Sequence, residues 1–156
     1  MIEPDQLVFL DTNILVHLLR GKAAGQWLDT TYLLSTRDVR PLLSAVSLGE
    51  LLALAEKWSW KPEKQQQIDA LVRSYVVVDI NYRPVLESYA KLSSKWERAG
   101  KRMEQNDLWI AASAQTAGAV ILTTDRDFRK LSQDIQVEWI DPEKLKRLAT
   151  GRGSES

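Results

Sequence analysis

Short apolar runs alternate with longer amphipathic stretches along this chain of 156 residues, and that alternation restricts the fold more than any other feature. Five of the runs are strand-like in length and composition: residues 7–10, 41–45, 76–78, 119–122 and 136–140. The first is apolar at every position, which is typical of a strand buried on both faces. Strands separated by helices indicate right-handed crossovers. The sequence therefore predicts an α/β fold of three layers, α/β/α, with a mainly parallel central sheet.

The stretches between these strands have helical spacing. Leu48, Leu51, Leu52 and Ala55 fit the positions i, i+3, i+4 and i+7 of a helix that we expect Ser47 to open. Gly100 is the expected C-terminal stop of a longer helix that begins near Pro84. Further helices are predicted for residues 14–21, 23–34, 63–74, 106–118 and 126–131, with a last one opened by Pro142.

The length fits one domain, which we place at residues 1–150, followed by a disordered polar tail at 151–156. A hydrophobic content of 44% is enough to build a core. No apolar run approaches the roughly 18 residues of a membrane helix. The N-terminus is acidic, unlike a secretory signal. We therefore expect a cytoplasmic protein with no membrane association.

Composition also excludes several kinds of site. The chain has no cysteine, so disulfides and thiolate zinc sites are excluded. Its one histidine, His17, excludes a site built from several histidines and argues against a Ser-His-Asp hydrolase. The formal net charge is zero, so no global field attracts a polyanion. Any contact with nucleic acid would need local basic patches or metal ions.

Four carboxylates are notable for their positions relative to these elements. Asp11 and Asp125 come just after strands, and Asp107 and Glu50 lie near the starts of helices. In a parallel sheet, ligands bind beyond the carboxyl ends of the strands. All four acids can therefore face the same rim, and Asp127 can join them as a fifth member.

Each acid also has a simpler structural interpretation. Asp11 could cap a helix, Asp107 could complement a helix dipole, and Asp125 could be a turn residue. Glu50 completes a capping-box pattern begun by Ser47. Asp127 could complete a second capping box, begun by Thr124. Taken one at a time, these alternatives remain open.

Four ordered sequence blocks change this assessment when they are taken together. They are Leu10–Leu15 (LDTNIL), Ser47–Leu51 (SLGEL), Asn106–Ala112 (NDLWIAA) and Leu122–Phe128 (LTTDRDF). In this order they resemble the successive signatures of the PIN domain. More narrowly, they resemble the VapC-type toxin ribonucleases of bacterial toxin–antitoxin pairs. The resemblance runs from about Leu7 to Leu131 and so covers most of the chain.

The resemblance implies a metal-dependent endoribonuclease whose carboxylate quartet is Asp11, Glu50, Asp107 and Asp125. An all-oxygen site of this kind favours Mg²⁺ or Mn²⁺. Asp11 and Asp107 are expected as direct metal ligands, Asp125 and Asp127 as ligands through water or to a second ion, and Glu50 as the group that orients or deprotonates the attacking water. The surrounding polar residues that match the family pattern are Thr12, Asn13, Ser47, Asn106 and Thr123.

The resemblance also implies partners. Relatives commonly work with a small antitoxin and commonly form homodimers, and their substrates include tRNA or other structured RNA. Two patches could hold RNA. One is residues 91–104, with a local net charge of +3, and the other is Trp58 and Trp60, which lie near Lys57 and Lys61 and could stack on bases exposed in a loop. For both patches a solvated helix face or a packing role is the simpler interpretation.

Two rival functions follow from the same residues. The first is a catalytically silent PIN-like module that binds RNA or protein, which the presence of all four acids argues against. The second is a phosphatase of the haloacid dehalogenase type. That class typically needs a second Asp two residues after the first, where this chain has Asn13.

Overall fold

The computed structural model describes residues 2–151 and contains every strand and helix that the sequence predicts. The strands are β1 (Val8–Leu10), β2 (Leu42–Ser44), β3 (Val76–Val78), β4 (Val120–Thr123) and β5 (Gln136–Trp139). The α-helices are α1 (Thr12–Arg20), α2 (Ala23–Tyr32), α3 (Ala45–Lys57), α4 (Pro62–Arg73), α5 (Arg83–Arg98), α6 (Gln105–Ala117) and α7 (Pro142–Ala149). A 3₁₀ helix, Arg126–Leu131, lies between β4 and β5.

The five strands form one sheet in the order β3-β2-β1-β4-β5, and every neighbouring pair is parallel. β1 lies in the middle, with Phe9 opposite both Leu42 of β2 and Ile121 of β4. All strands therefore end at the same edge of the sheet. We call this edge the carboxyl edge and the opposite one the amino edge. The prediction of a parallel α/β fold is confirmed.

Hydrophobic side chains cover both faces of the sheet. Val8 and Leu10 pack with residues of α1, α2, α3, α4 and α7, whereas Phe9 packs with residues of α5, α6 and the 3₁₀ helix. Phe9 and Leu10 are completely buried. A strand covered on both faces has no polar side, which explains why β1 is apolar at every position. The three predicted layers are therefore present.

The prediction that Ser47 opens α3 is wrong, and neither of the two alternative capping boxes is formed. The N-cap of α3 is Ser44, whose Oγ accepts a hydrogen bond from the Val46 N–H at 3.0 Å. Ser47 and Glu50 therefore lie inside the helix rather than forming its capping box. The N-cap of the 3₁₀ helix is Asp125 rather than Thr124. The cap of α3 lies three residues before Ser47, and the cap of the 3₁₀ helix lies one residue after Thr124. Several polar residues near each helix start can take the cap position, and the tetrapeptide pattern does not distinguish between them.

The C-terminal helix α7 ends at Ala149, and Thr150 caps it. The predicted tail, residues 151–156, lies outside the described residues except for Gly151. Between residues 2 and 151, none of the helices combines the length and the apolar character that a membrane crossing would require.

Candidate active site

Asp11 lies where β1 passes directly into α1. Its backbone N–H donates to the carbonyl of Leu122, and its side chain caps α1. One carboxylate oxygen, Oδ1, accepts from the Thr12 N–H at 2.8 Å, and Oδ2 accepts from the Thr123 hydroxyl at 2.6 Å. The residue is only 4% exposed. Asp11 is thus a helix cap and a rigidly held carboxylate at the carboxyl edge at the same time.

Thr123 connects Asp11 to Asp125. Its Oγ1 donates to Asp11 and accepts from the backbone N–H of Asp125 at 2.9 Å. Asp125 in turn accepts from the N–H of Asp127 at 2.9 Å. This bridge forms because β1 and β4 are adjacent parallel strands that end together.

Glu50 reaches the same place from the side of α3. The hydroxyl of Thr12 lies 2.8 Å from Glu50 Oε1 and 2.8 Å from Ser47 Oγ. A hydroxyl carries one proton, so Thr12 donates to the Glu50 carboxylate and Ser47 donates to Thr12. Because Ser47 is fully buried, this short chain of hydrogen bonds fixes one carboxylate oxygen of Glu50.

The four predicted catalytic acids line one cleft of about 390 Å³ at the carboxyl edge. Asp107 enters it from the first turn of α6. The other polar residues that line the cleft are Thr12, Asn13 and Glu104, and Ala53 and Leu54 of α3 complete the wall. Acids that are far apart in the sequence therefore come from four separate elements to one concave surface.

The crowding of carboxylates shifts their proton affinities. Burial, together with the charges of Asp11, Asp125, Glu104 and Glu50, raises the pKa of Asp107 to about 7. Burial also raises the pKa of Asp11 to about 6, although the hydrogen bonds from Thr123 and Thr12 oppose the rise. The cleft therefore concentrates more negative charge than it can hold at neutral pH without a proton or a cation.

Glu104 is the residue that sequence reasoning missed. It occupies the N-cap position of α6, lines the cleft and contributes to the raised pKa of Asp107. Its signal in the sequence was its place three residues before Asp107, which is about one helical turn.

Two predicted site residues lie elsewhere. Asp127 does not line the cleft, and its Oδ1 forms an ion pair with Lys130 Nζ at 2.9 Å. Asn106 is exposed on the first turn of α6 and is also absent from the cleft wall. Thr123 and Ser47 lie behind the wall, where they hold the carboxylates in place.

The cleft has the type of ligand atom that a hard divalent cation prefers, but its side chains are not arranged to hold one. All charged donors are carboxylate oxygens, the ligands that Mg²⁺ and Mn²⁺ prefer. Across residues 2–151, however, no three Asp, Glu or His side chains are grouped closely enough to hold one metal ion. Binding of one ion by three of these carboxylates would therefore require side-chain rotations.

The two other candidate RNA-binding patches differ in their surroundings. Trp58 is 46% exposed, and its ring centroid lies 5.8 Å from that of Trp60, which packs against the core. On α5, Lys95 forms an ion pair with Asp134 at 2.8 Å. RNA binding by either patch stays a prediction.

Comparison with known proteins places these features in a family. The curated protein Ribonuclease VapC1 of Haemophilus influenzae is 25% identical over 136 residues, which cover 86% of this chain and 97% of that protein. The VapBC2 structure from Rickettsia felis, bound to a promoter DNA fragment, has a TM-score of 0.74 at 23% identity and covers 86% of this chain and 99% of that one. The DNA-bound VapBC structure from Salmonella typhimurium has a TM-score of 0.70 at 22% identity, with coverages of 85% and 97%. The PIN domain model matches residues 8–134. This chain belongs to the PIN domain family.

Proposed function

We propose that this protein is a metal-dependent endoribonuclease that hydrolyses RNA phosphodiester bonds as the toxin of a VapBC-type toxin–antitoxin pair. The observation that carries the proposal is the convergence of Asp11, Glu50, Asp107 and Asp125 on one cleft at the carboxyl edge. The similarity to a protein named as a ribonuclease gives independent support.

The proposal requires a divalent cation, Mg²⁺ or Mn²⁺, because a phosphodiester is itself an anion. Two unit charges of the same sign at 4 Å repel by about 4 kcal/mol at an effective dielectric constant near 20. When held by these acids, the cation would reverse the sign of the local charge, polarise a phosphoryl oxygen and lower the pKa of a water molecule. Asp11 and Asp107 are the proposed direct ligands, with Asp125 beside them.

The side chains of this protein then divide the remaining work. Thr12 and Thr123 hold both oxygens of Asp11, which keeps that carboxylate in one rotamer. Glu50 is fixed through Oε1 by Thr12 and would orient the attacking water or accept its proton. The raised pKa of Asp107 means that a cation competes with a proton for this carboxylate near neutral pH.

The proposed partners follow from the relatives. Solved neighbours are VapBC complexes, so we propose a small antitoxin as the partner of this chain. A homodimer, a structured RNA such as tRNA as substrate, and a cytoplasmic location belong to the same proposal. Residues 1–150 would act as one domain.

The test is cleavage of a pooled tRNA preparation by purified protein with Mg²⁺ or Mn²⁺. Asp11→Asn should lower the rate by at least about 100-fold, because even the outer partners of a metal ligand are worth 10–100-fold. The matched control is Asp69→Asn, which removes the same charge from the exposed surface of α4 and should keep full activity. Equal cleavage by the wild type and Asp11→Asn would show that any activity comes from another site or from a contaminant.

A further inference from the structure

Two arginines share one tryptophan ring beside the cleft. Trp139 is the last residue of β5, and its indole N–H donates to the carbonyl of Thr124 at 3.0 Å. The guanidinium carbon of Arg126 lies 5.3 Å from the centre of the Trp139 ring, and that of Arg129 lies 4.9 Å from it. We call Arg126, Arg129 and Trp139 the arginine platform.

The chain itself places this platform next to the cleft. Thr124 and Arg126 are the immediate neighbours of Asp125, which lines the cleft. Trp139 also lies opposite Thr123 in the pairing of β4 with β5. Thr123 also donates a hydrogen bond to Asp11. Residues 123–125 therefore connect the platform to the acids of the cleft.

The positive charge of these arginines can attract RNA to the cleft, which a packing role would not explain. The protein has no net charge, and its cleft is acidic, so the approach of a polyanion needs local cations. Both arginines are exposed. Of the two acids beside Arg126 in the sequence, Asp127 pairs with Lys130 and Asp125 lines the cleft. Guanidinium groups match phosphate geometry and stack on aromatic rings, and binding grooves for single-stranded nucleic acids combine these two features.

We infer that the arginine platform binds backbone phosphates of the RNA strand where it leaves the cleft beside Asp125. This inference rests on the proposed ribonuclease function and extends it with positioning residues. Trp139 holds the two guanidinium groups in place before RNA arrives, which lowers the entropy lost on binding. The competing interpretation is that the ring contacts only attach the 3₁₀ helix to β5.

The experiment measures how RNA affinity depends on salt. Fluorescein-labelled single-stranded oligouridine is titrated in Mg²⁺ at several KCl concentrations between about 50 and 200 mM, in an Asp11→Asn background that prevents cleavage. Each lost phosphate contact lowers the steepness of the log–log plot by about 0.7 for a single strand. Arg126→Gln with Arg129→Gln should therefore lower it by roughly 1.4.

Three controls separate charge from structure. Arg126→Lys with Arg129→Lys keeps the charge and should keep the salt slope. Arg73→Gln removes an exposed arginine at the end of α4, near the amino edge, and should leave the slope unchanged. Melting temperatures identify any variant that fails to fold, and the single Gln variants then take the place of the double one, each with an expected loss of about 0.7.

The outcomes also separate this inference from the proposed function. If wild type cleaves tRNA but the Gln variants keep the parental salt slope, the platform is structural and the inference is overturned while the nuclease stands. If wild type neither cleaves tRNA nor binds oligouridine, both are overturned. A reduced slope in the Gln variants that Lys restores supports the inference, and tRNA cleavage by the wild type supports the proposed function.

Discussion

The carboxyl edge and the amino edge of the sheet each carry a polar cavity. The charged groups at the amino edge are held by hydrogen bonds, whereas those at the carboxyl edge repel one another. The amino-edge cavity has a volume of about 500 Å³ and contains Arg37, Arg40 and Asp29. Arg37 donates to the carbonyls of Tyr32, Glu3, Pro4 and Gln6 over 2.9–3.1 Å. Asp29 accepts from both the N–H and the hydroxyl of Ser35. These charges hold loops together.

At the carboxyl edge, the acids face one another. Asp11, Glu50, Glu104 and Asp125 all raise the proton affinity of Asp107 through their charge. Such an arrangement lowers the stability of the fold, so its presence needs a reason other than folding. The difference is that the amino-edge charges are satisfied by hydrogen bonds to neutral groups, whereas the carboxyl-edge acids repel one another. Repulsion between like charges in a cleft is the feature that indicates function.

Breaking the amino-edge network should have the largest effect, and it should affect stability alone. Arg37→Met keeps much of the side-chain volume but removes the donors to four carbonyls, because Met has no N–H group. We expect the free energy of unfolding to fall by about 3 kcal/mol, since bonds from charged donors contribute about 1.5–3 kcal/mol each and water replaces some of them. Urea denaturation gives this value. Cleavage per folded molecule should be unchanged.

The control for this change is Arg73→Met, which removes another arginine from the amino edge where the side chain is exposed. It should alter stability by less than about 0.5 kcal/mol. If Arg37→Met stayed stable but lost cleavage, the amino-edge cavity would have a role in activity rather than in stability, and the prediction would be wrong.

The second prediction concerns the pH dependence of stability in the metal-free protein. The pKa of Asp107 is raised to about 7 and that of Asp11 to about 6, so the folded state holds these protons more tightly than the unfolded state. The free energy of unfolding should therefore fall as pH rises from about 4 to about 7. Asp107→Asn should remove much of this fall and stabilise the protein at about pH 8 by on the order of 2 kcal/mol, allowing for partial exposure.

Chemical denaturation at several pH values, with EDTA present, measures this difference. Asp69→Asn provides the control for removal of a carboxylate from an exposed position. Mg²⁺ should raise the melting temperature of wild type by mass action and have less effect on Asp107→Asn. A wild-type stability that does not change between pH 4 and pH 7 would mean that the acids do not interact as the geometry implies.

The sequence predicts the fold well because each element carries its own local signal. The apolar run at β1 and the helical spacing of Leu51 and Ala55 on α3 agree with the final packing. The β-branched run at β3 forms a strand although Val76 and Val77 are exposed. Parallel order then follows from the alternation of strands and helices. The sequence cannot reveal which of several nearby polar residues caps a helix, and so Ser44 rather than Ser47 begins α3.

The sequence predicts a site residue only where its position after a strand or at the start of a helix determines which edge of the sheet it faces. That rule placed Asp11, Glu50, Asp107 and Asp125 at one edge, where the structure has them. It could not exclude Asp127, because only the rotation of the 3₁₀ helix directs this side chain to Lys130. It also missed Glu104, because its spacing of three residues from Asp107 is equally compatible with a solvated acid that precedes a helix.

The carboxyl edge also depends on a neutral residue, Thr123. Thr123 is fully buried, and its hydroxyl binds both Asp11 and the N–H of Asp125. Thr123→Val has nearly the same shape but lacks these bonds, and the Thr123 hydrogen bond lowers the pKa of Asp11. The variant should therefore cleave RNA about 10-fold more slowly at limiting Mg²⁺, and its activity should be lost at a higher pH on acidification. The matched control is Thr116→Val, which removes a hydroxyl that only donates to the Ala112 carbonyl within α6. A rate loss with an unchanged pH profile would mean that Thr123 supports packing rather than the ionisation of Asp11.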